Sequence, residues 1–131
     1  NQALGLKILS LAPGDVRMRL DMRADLVGHY AYGRLHGGVI SASLDALAGL
    51  ALMVEFGEKH ADESAEQVMH RFGRMGTIDL RVDYLRQAVG SRFVAQAEVT
   101  RLGGRIGSTQ MRMHSDSGAL VATGAASYVV S

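Results

Sequence analysis

Asp45 stands inside Val39-Ile40-Ser41-Ala42-Ser43-Leu44-Asp45-Ala46-Leu47-Ala48-Gly49-Leu50-Ala51-Leu52-Met53-Val54, a run otherwise made of apolar or small residues. His36-Gly37-Gly38 comes directly before it. Burying an ionised carboxylate without partners costs at least several kcal/mol, so an acid in such company is either hydrogen-bonded for structure or kept for chemistry. The double glycine adds a second half to a site. The first amides of a helix have no partner within it, and glycines let a ligand oxygen approach them closely. Together the two features offer a group that can take a proton or attack, and amides that can hold an oxygen.

The elements that position these groups follow from the hydropathy pattern. The run around Asp45 has helical length and is apolar on nearly every side, which predicts a helix over 38–56 buried on all faces. Before it, Leu4 to Leu11 reads as a strand, Pro13-Gly14 as a tight turn, and Asp15 to Met22 as a partner strand. In that second strand Val16, Met18, Leu20 and Met22 alternate with Asp15, Arg17, Arg19 and Asp21, giving one wet and one buried face. Leu26 to Leu35 reads as a glycine-bearing loop, and Glu63 to Phe72 as a short surface helix. Thr77 to Tyr84 alternates strictly, with Ile78, Leu80, Val82 and Tyr84 on one face and Thr77, Asp79, Arg81 and Asp83 on the other. Arg92 to Arg101, Arg105 to Ser115 and Ala119 to Val130 complete the strands, separated by Gly103-Gly104 and Asp116-Ser117-Gly118. Short turns favour antiparallel neighbours, and a helix apolar all round needs wrapping. The predicted class is α+β: a curved antiparallel sheet of about five to six strands folded around one long buried helix.

Composition narrows the function classes. The 131 residues make one domain, 1–131, with 47% hydrophobic and 5% aromatic content, an aliphatic globular chain. With no cysteine, disulfides, thiol catalysis and thiolate metal sites are excluded; the composition suits a reducing cytoplasm, the expected location. A net charge of +1 gives no reason to invoke nucleic acid or an anionic membrane surface. The run at 39–54 is too short to span a bilayer and carries Asp45, so a core helix is expected. A chain opening at Asn1 without methionine is expected to lack its native N-terminus. His60, His70 and His114 show no metal-ligand spacing, and neither a phosphate-binding loop nor a serine triad motif is present. No metal or cofactor is called for.

The block Gly33-Arg34-Leu35-His36-Gly37-Gly38 through Asp45 resembles the HGG-to-Asp motif of PaaI-like hotdog thioesterases, and Arg74 to Arg86 is similar to the bacterial YigI-type acyl-CoA thioesterase subgroup. The resemblance covers nearly the whole chain. It implies the hotdog fold and hydrolysis of acyl-CoA thioesters, with medium-chain to long-chain fatty acyl groups favoured and coenzyme A entering as part of the substrate. Such a reaction needs the thioester carbonyl polarised and a water or carboxylate delivered to its carbon. On the family pattern the Gly37 amide is the best-matched donor to the oxyanion. Asp45 is then the nucleophile or general base, and Thr77 matches the position of a serine or threonine that holds the water. His36 is read chiefly as a helix cap or a satisfied buried histidine. Where the subgroup usually carries glycine and asparagine, this chain has Gly28-His29, so His29 is either the second donor in place of the asparagine or an exposed loop histidine.

Asp45 lies about 13 Å along the helix from His36, too far for both to grip one carbonyl of the same subunit. The family resolves this by facing the HGG end of one subunit to the acid of its partner, which implies a homodimer with shared sites, or a dimer of dimers. For the phosphates of coenzyme A, Arg101 and Arg105 flank Gly103-Gly104, a turn whose backbone, Gly104 included, is free to approach an anion; Gly38 completes the substrate-binding set. Arginines beside a hairpin turn also serve solubility. Two other readings stand beside hydrolysis. A hotdog dehydratase or hydratase would need a different histidine-acid arrangement, and a non-catalytic acyl-CoA binding or sensing module would gain nothing obvious from the acid.

Overall fold

The computed structural model describes residues 5–23 and 34–131, together with the backbone of 27–29. In chain order the elements are β1 (Leu6–Ala12), β2 (Asp15–Asp21), β3 (Val27–His29), β4 (Arg34–Leu35), α1 (Gly37–Lys59), α2 (Ala65–Phe72), β5 (Gly76–Tyr84), β6 (Arg92–Leu102), β7 (Ile106–Ser115) and β8 (Leu120–Val129). Six strands form one antiparallel sheet in the order β1-β2-β6-β7-β8-β5, and α1 packs across it, most extensively against β6 and β7. This is the α+β hotdog arrangement expected from the sequence. Within the stretch predicted as a loop, the described residues 27–29 and 34–35 pair instead as a small second sheet, β3 with β4.

Turn chemistry sets the hairpins. Gly14, at φ +79°, closes β1–β2, and Gly118, at φ +87°, closes β7–β8 after Asp116 and Ser117. In β2 the alternation holds, with Val16, Met18 and Leu20 buried. Sequence neighbours pair at β1–β2, β6–β7 and β7–β8, but β5 does not pair with β6. It lies at the far edge beside β8, and residues 85–91 carry the chain back across the sheet to β6.

In α1 the residues Ile40, Ser43, Leu44, Leu47, Ala48, Ala51, Leu52 and Phe56 are buried, recurring every three or four positions along one face. Leu44, Leu47 and Leu52 are fully enclosed, and each contributes about 1.5–3 kcal/mol of transfer free energy. The expectation of burial on all faces is corrected. Ala42 is exposed, Asp45, Ala46, Gly49 and Leu50 are half-buried, and Met53 is exposed, because one chain's sheet covers only one side of the cylinder. The helix also runs longer than the apolar run suggested. At 23 residues it equals a membrane span in length and apolarity, but its buried face makes it the core of the sheet. Helix α2 begins with a capping box between Ser64 and Gln67, and Arg71 grips Glu63 with two hydrogen bonds of 2.8 and 2.7 Å.

A second correction concerns β5. Its strict alternation predicts Thr77 on the face opposite Leu80 and Val82, yet the register slips between Thr77 and Asp79, leaving Ile78 as an extra, exposed residue. Thr77 then opposes Tyr128, just as Leu80 opposes Ala126 and Val82 opposes Gly124. Cross-strand partners share a face. The bulge thus turns Thr77 toward α1, and as an edge strand β5 is mostly exposed where a half-buried strand was expected.

Candidate functional site

Asp45 is at the centre of a three-element constellation. From α1 its carboxylate Oδ1 accepts a hydrogen bond from the Thr77 hydroxyl on β5, at 3.0 Å, and another from the Tyr128 hydroxyl on β8. Tyr128 also lies 2.6 Å from the main-chain oxygen of Asp45. Oδ2 has no hydrogen-bond partner among the described residues and is not buried. Burial first, and then the neighbouring carboxylate, push the Tyr128 phenol far above its usual value. It therefore stays a protonated donor at any physiological pH.

This acid borders an open cleft of about 400 Å³ lined by Leu6, Ile8, Met18, Ala46, Leu50 and Met53, together with Gly49, Thr77 and Tyr128. A polar centre in apolar walls is the usual composition of a small-molecule site. Thr77, singled out from the sequence, does meet Asp45, and the bulge is the reason. Tyr128 was missed: it lies 83 residues from Asp45 and sits in a strand whose alternation explains it as core. Only knowing that β8 runs beside β5 brings it to the acid.

The start of α1 forms a separate group. His36 is the N-cap, with φ −63° and ψ 134°, and its Nδ1 accepts the Gly38 amide at 2.9 Å. The capping role favoured from the sequence is the observed one, and its consequence is that the Gly38 N–H is already used. The Gly37 N–H has no partner among the described residues. The Gly37 carbonyl accepts the Tyr84 hydroxyl at 2.9 Å, and a shallow cleft here is bordered by Arg34, Leu35, Tyr84 and Arg86. An unpartnered first-turn amide in an open cleft can hold an oxygen with developing negative charge. The side chain of His29 lies outside the described residues.

Arg101, Gly104 and Arg105 are not brought to either group within the chain. They are exposed at the β6–β7 turn, where the Gly103 amide donates to the Ile106 carbonyl at 2.9 Å. Gly107, next to this turn, faces Leu52, about two helical turns beyond Asp45. A β-carbon on Gly104 would meet nothing within 4 Å, so the turn is open to approach. Among the described residues, no group of three or more histidines and carboxylates could hold a metal ion.

Comparison with known proteins gives this geometry its setting. The sequence profile of the thioesterase superfamily matches residues 32–122. The medium/long-chain acyl-CoA thioesterase YigI of Salmonella typhimurium is 35% identical over 130 residues, 99% of this chain and 84% of that protein, and YigI of Escherichia coli K12 is similar to the same extent. A crystal structure from Shewanella oneidensis, of a protein related to the thioesterase superfamily, superposes with a TM-score of 0.93 at 33% identity. The match spans 99% of this chain and 85% of that one.

Proposed function

The chain belongs to the thioesterase superfamily, and on that premise we propose that it is an acyl-CoA thioesterase, converting medium-chain to long-chain fatty acyl-CoA to the free acid and coenzyme A. One observation carries the reading beyond family membership: a carboxylate held at Oδ1 by two hydroxyls, with Oδ2 free, at the edge of an apolar cleft. The cleft suits an aliphatic chain, and the free oxygen suits the reacting carbonyl.

In this reading Asp45 Oδ2 either attacks the carbonyl carbon or takes a proton from a water that does. By the water route, the new C–O bond pushes the carbonyl electrons onto oxygen, where the Gly37 amide stabilises them. The intermediate then collapses with cleavage of the C–S bond, and the departing sulfur takes the proton from Asp45. Gly37 and Asp45 of one chain are separated by roughly 12 Å of helix, so the amide comes from a second copy and the working unit is a homodimer. Arg101 and Arg105 then take the phosphates of coenzyme A, and losing either raises KM more than it lowers kcat.

The test is thiol release over acyl-CoAs of graded chain length, with the wild type and Asp45→Asn side by side. Wild-type turnover rising from short to longer chains and a large fall in kcat for the amide support the reading. Tight binding of acyl-CoA without thiol release would make the protein a binding module instead. An Asp45→Asn protein that is less stable yet fully active would sink the mechanism.

A further inference from the structure

We propose that Tyr128 is a positioning residue that decides which oxygen of Asp45 works; this rests on the thioesterase reading above. An aspartate side chain on a helix can turn about its last bond and exchange its two oxygens. Here that exchange is opposed from one side. Tyr128 and Thr77, paired across β5 and β8, both direct hydroxyls at Oδ1, and Tyr128 is also tied to the main-chain oxygen of the same residue. The phenol therefore spans the carboxylate and the backbone that carries it, fixing one relative to the other.

The neighbourhood accommodates a tyrosine specifically. One helical turn after Asp45, Gly49 faces the ring, and a β-carbon there would lie 3.8 Å from both the ring edge and the hydroxyl oxygen of Tyr128. The ring is buried in the core, where phenylalanine would pack equally well, so packing alone does not call for a hydroxyl. A buried hydroxyl needs a partner, and this one finds both the carboxylate and the main-chain oxygen of Asp45 within reach. Hydrogen bonds to an ionised group are the stronger kind, and two on one oxygen leave the other as the open, reactive atom.

Tyr128→Phe keeps the ring and removes only the donor. Measured per folded protein on the best acyl-CoA substrate, kcat is expected to fall about ten-fold to a hundred-fold while KM stays within about two-fold. In an Asp45→Asn background the same change is expected to add little, because the group it positions no longer acts. Wild-type kcat in Tyr128→Phe overturns the proposal. So do losses that multiply with those of Asp45→Asn, a KM that rises in step with the fall in kcat, or a variant that does not fold. A wild-type protein that releases no thiol defeats the thioesterase reading itself, and the positioning role with it; the wild-type arm keeps the two failures apart.

Discussion

The phenol of Tyr84 donates to the main-chain oxygen of Gly37 at 2.9 Å, and its ring lies 3.5 Å from where a β-carbon on Gly37 would stand. One side chain thus anchors the first residue of α1 by its carbonyl while the amide stays open. A methyl group at Gly37 meets the ring at ordinary contact distance, so Gly37→Ala is expected to fold with stability changed by less than about 1 kcal/mol. If the amide receives the oxyanion, the methyl group crowds the approach and kcat/KM falls about ten-fold or more. Thermal melts and thiol release on one preparation check both halves; full activity would remove Gly37 from the chemistry.

His36 separates capping from catalysis. Its Nδ1 accepts the Gly38 amide, so His36→Ala is expected to cost about 0.5–2 kcal/mol of stability, as the loss of an N-cap does. Activity per folded molecule should stay within about three-fold, since no other described role depends on the ring. A thousand-fold loss without a change in the unfolding midpoint would make the histidine a participant in the reaction.

Sharing of sites between subunits predicts complementation. Asp45→Asn and a disabling Gly37 variant, each inactive alone, should regain part of the wild-type rate when their subunits are allowed to exchange, because some mixed dimers hold one intact site. Exchange can be followed by native mass spectrometry. Complete exchange without recovery would place both groups in one subunit's site.

Acid should loosen α2 in a defined way. The two hydrogen bonds from Arg71 hold the Glu63 carboxyl below its usual value, so the folded chain binds that proton less readily than the unfolded chain. The resulting stabilisation is full above the ordinary carboxyl range of the unfolded chain and is lost as the pH falls through the lower folded-state value. Comparing melting midpoints of wild type and Glu63→Gln, the gap present at neutral pH should close on strong acidification. A constant gap would mean that the carboxylate charge contributes nothing.

Local patterns in the sequence reveal most of the fold. The turn glycines, the alternation of β2 and the apolar length of α1 each report a structure made by residues close together, and they place the strands and the long helix within a few residues. Asp45 and the HGG segment are legible for the same reason, since an acid in an apolar run is a local anomaly. Thr77 was found by family position, while its alternation pointed the wrong way; the bulge at Ile78 depends on how β5 registers with β8, which no single strand encodes. Tyr128 was illegible because its significance lies in the pairing of β8 with the edge strand. The open outer face of α1 is likewise a property of how far one sheet curls, and composition says nothing of that.

Within one chain, the bulged strand β5 is hydrogen-bonded to the sheet along one side only. Edge strands of this kind open locally at free energies well below that of global unfolding. Thr77 therefore rides on an edge of the sheet, whereas Tyr128 lies one strand further in, on β8, and Asp45 on the helix that the sheet covers. On warming, fraying of β5 would strip one hydroxyl from the carboxylate while the helix and the remaining strands stay folded. The acid's surroundings would then lose their order at a lower temperature than the fold does, and catalytic competence and structural integrity would have separate thermal limits.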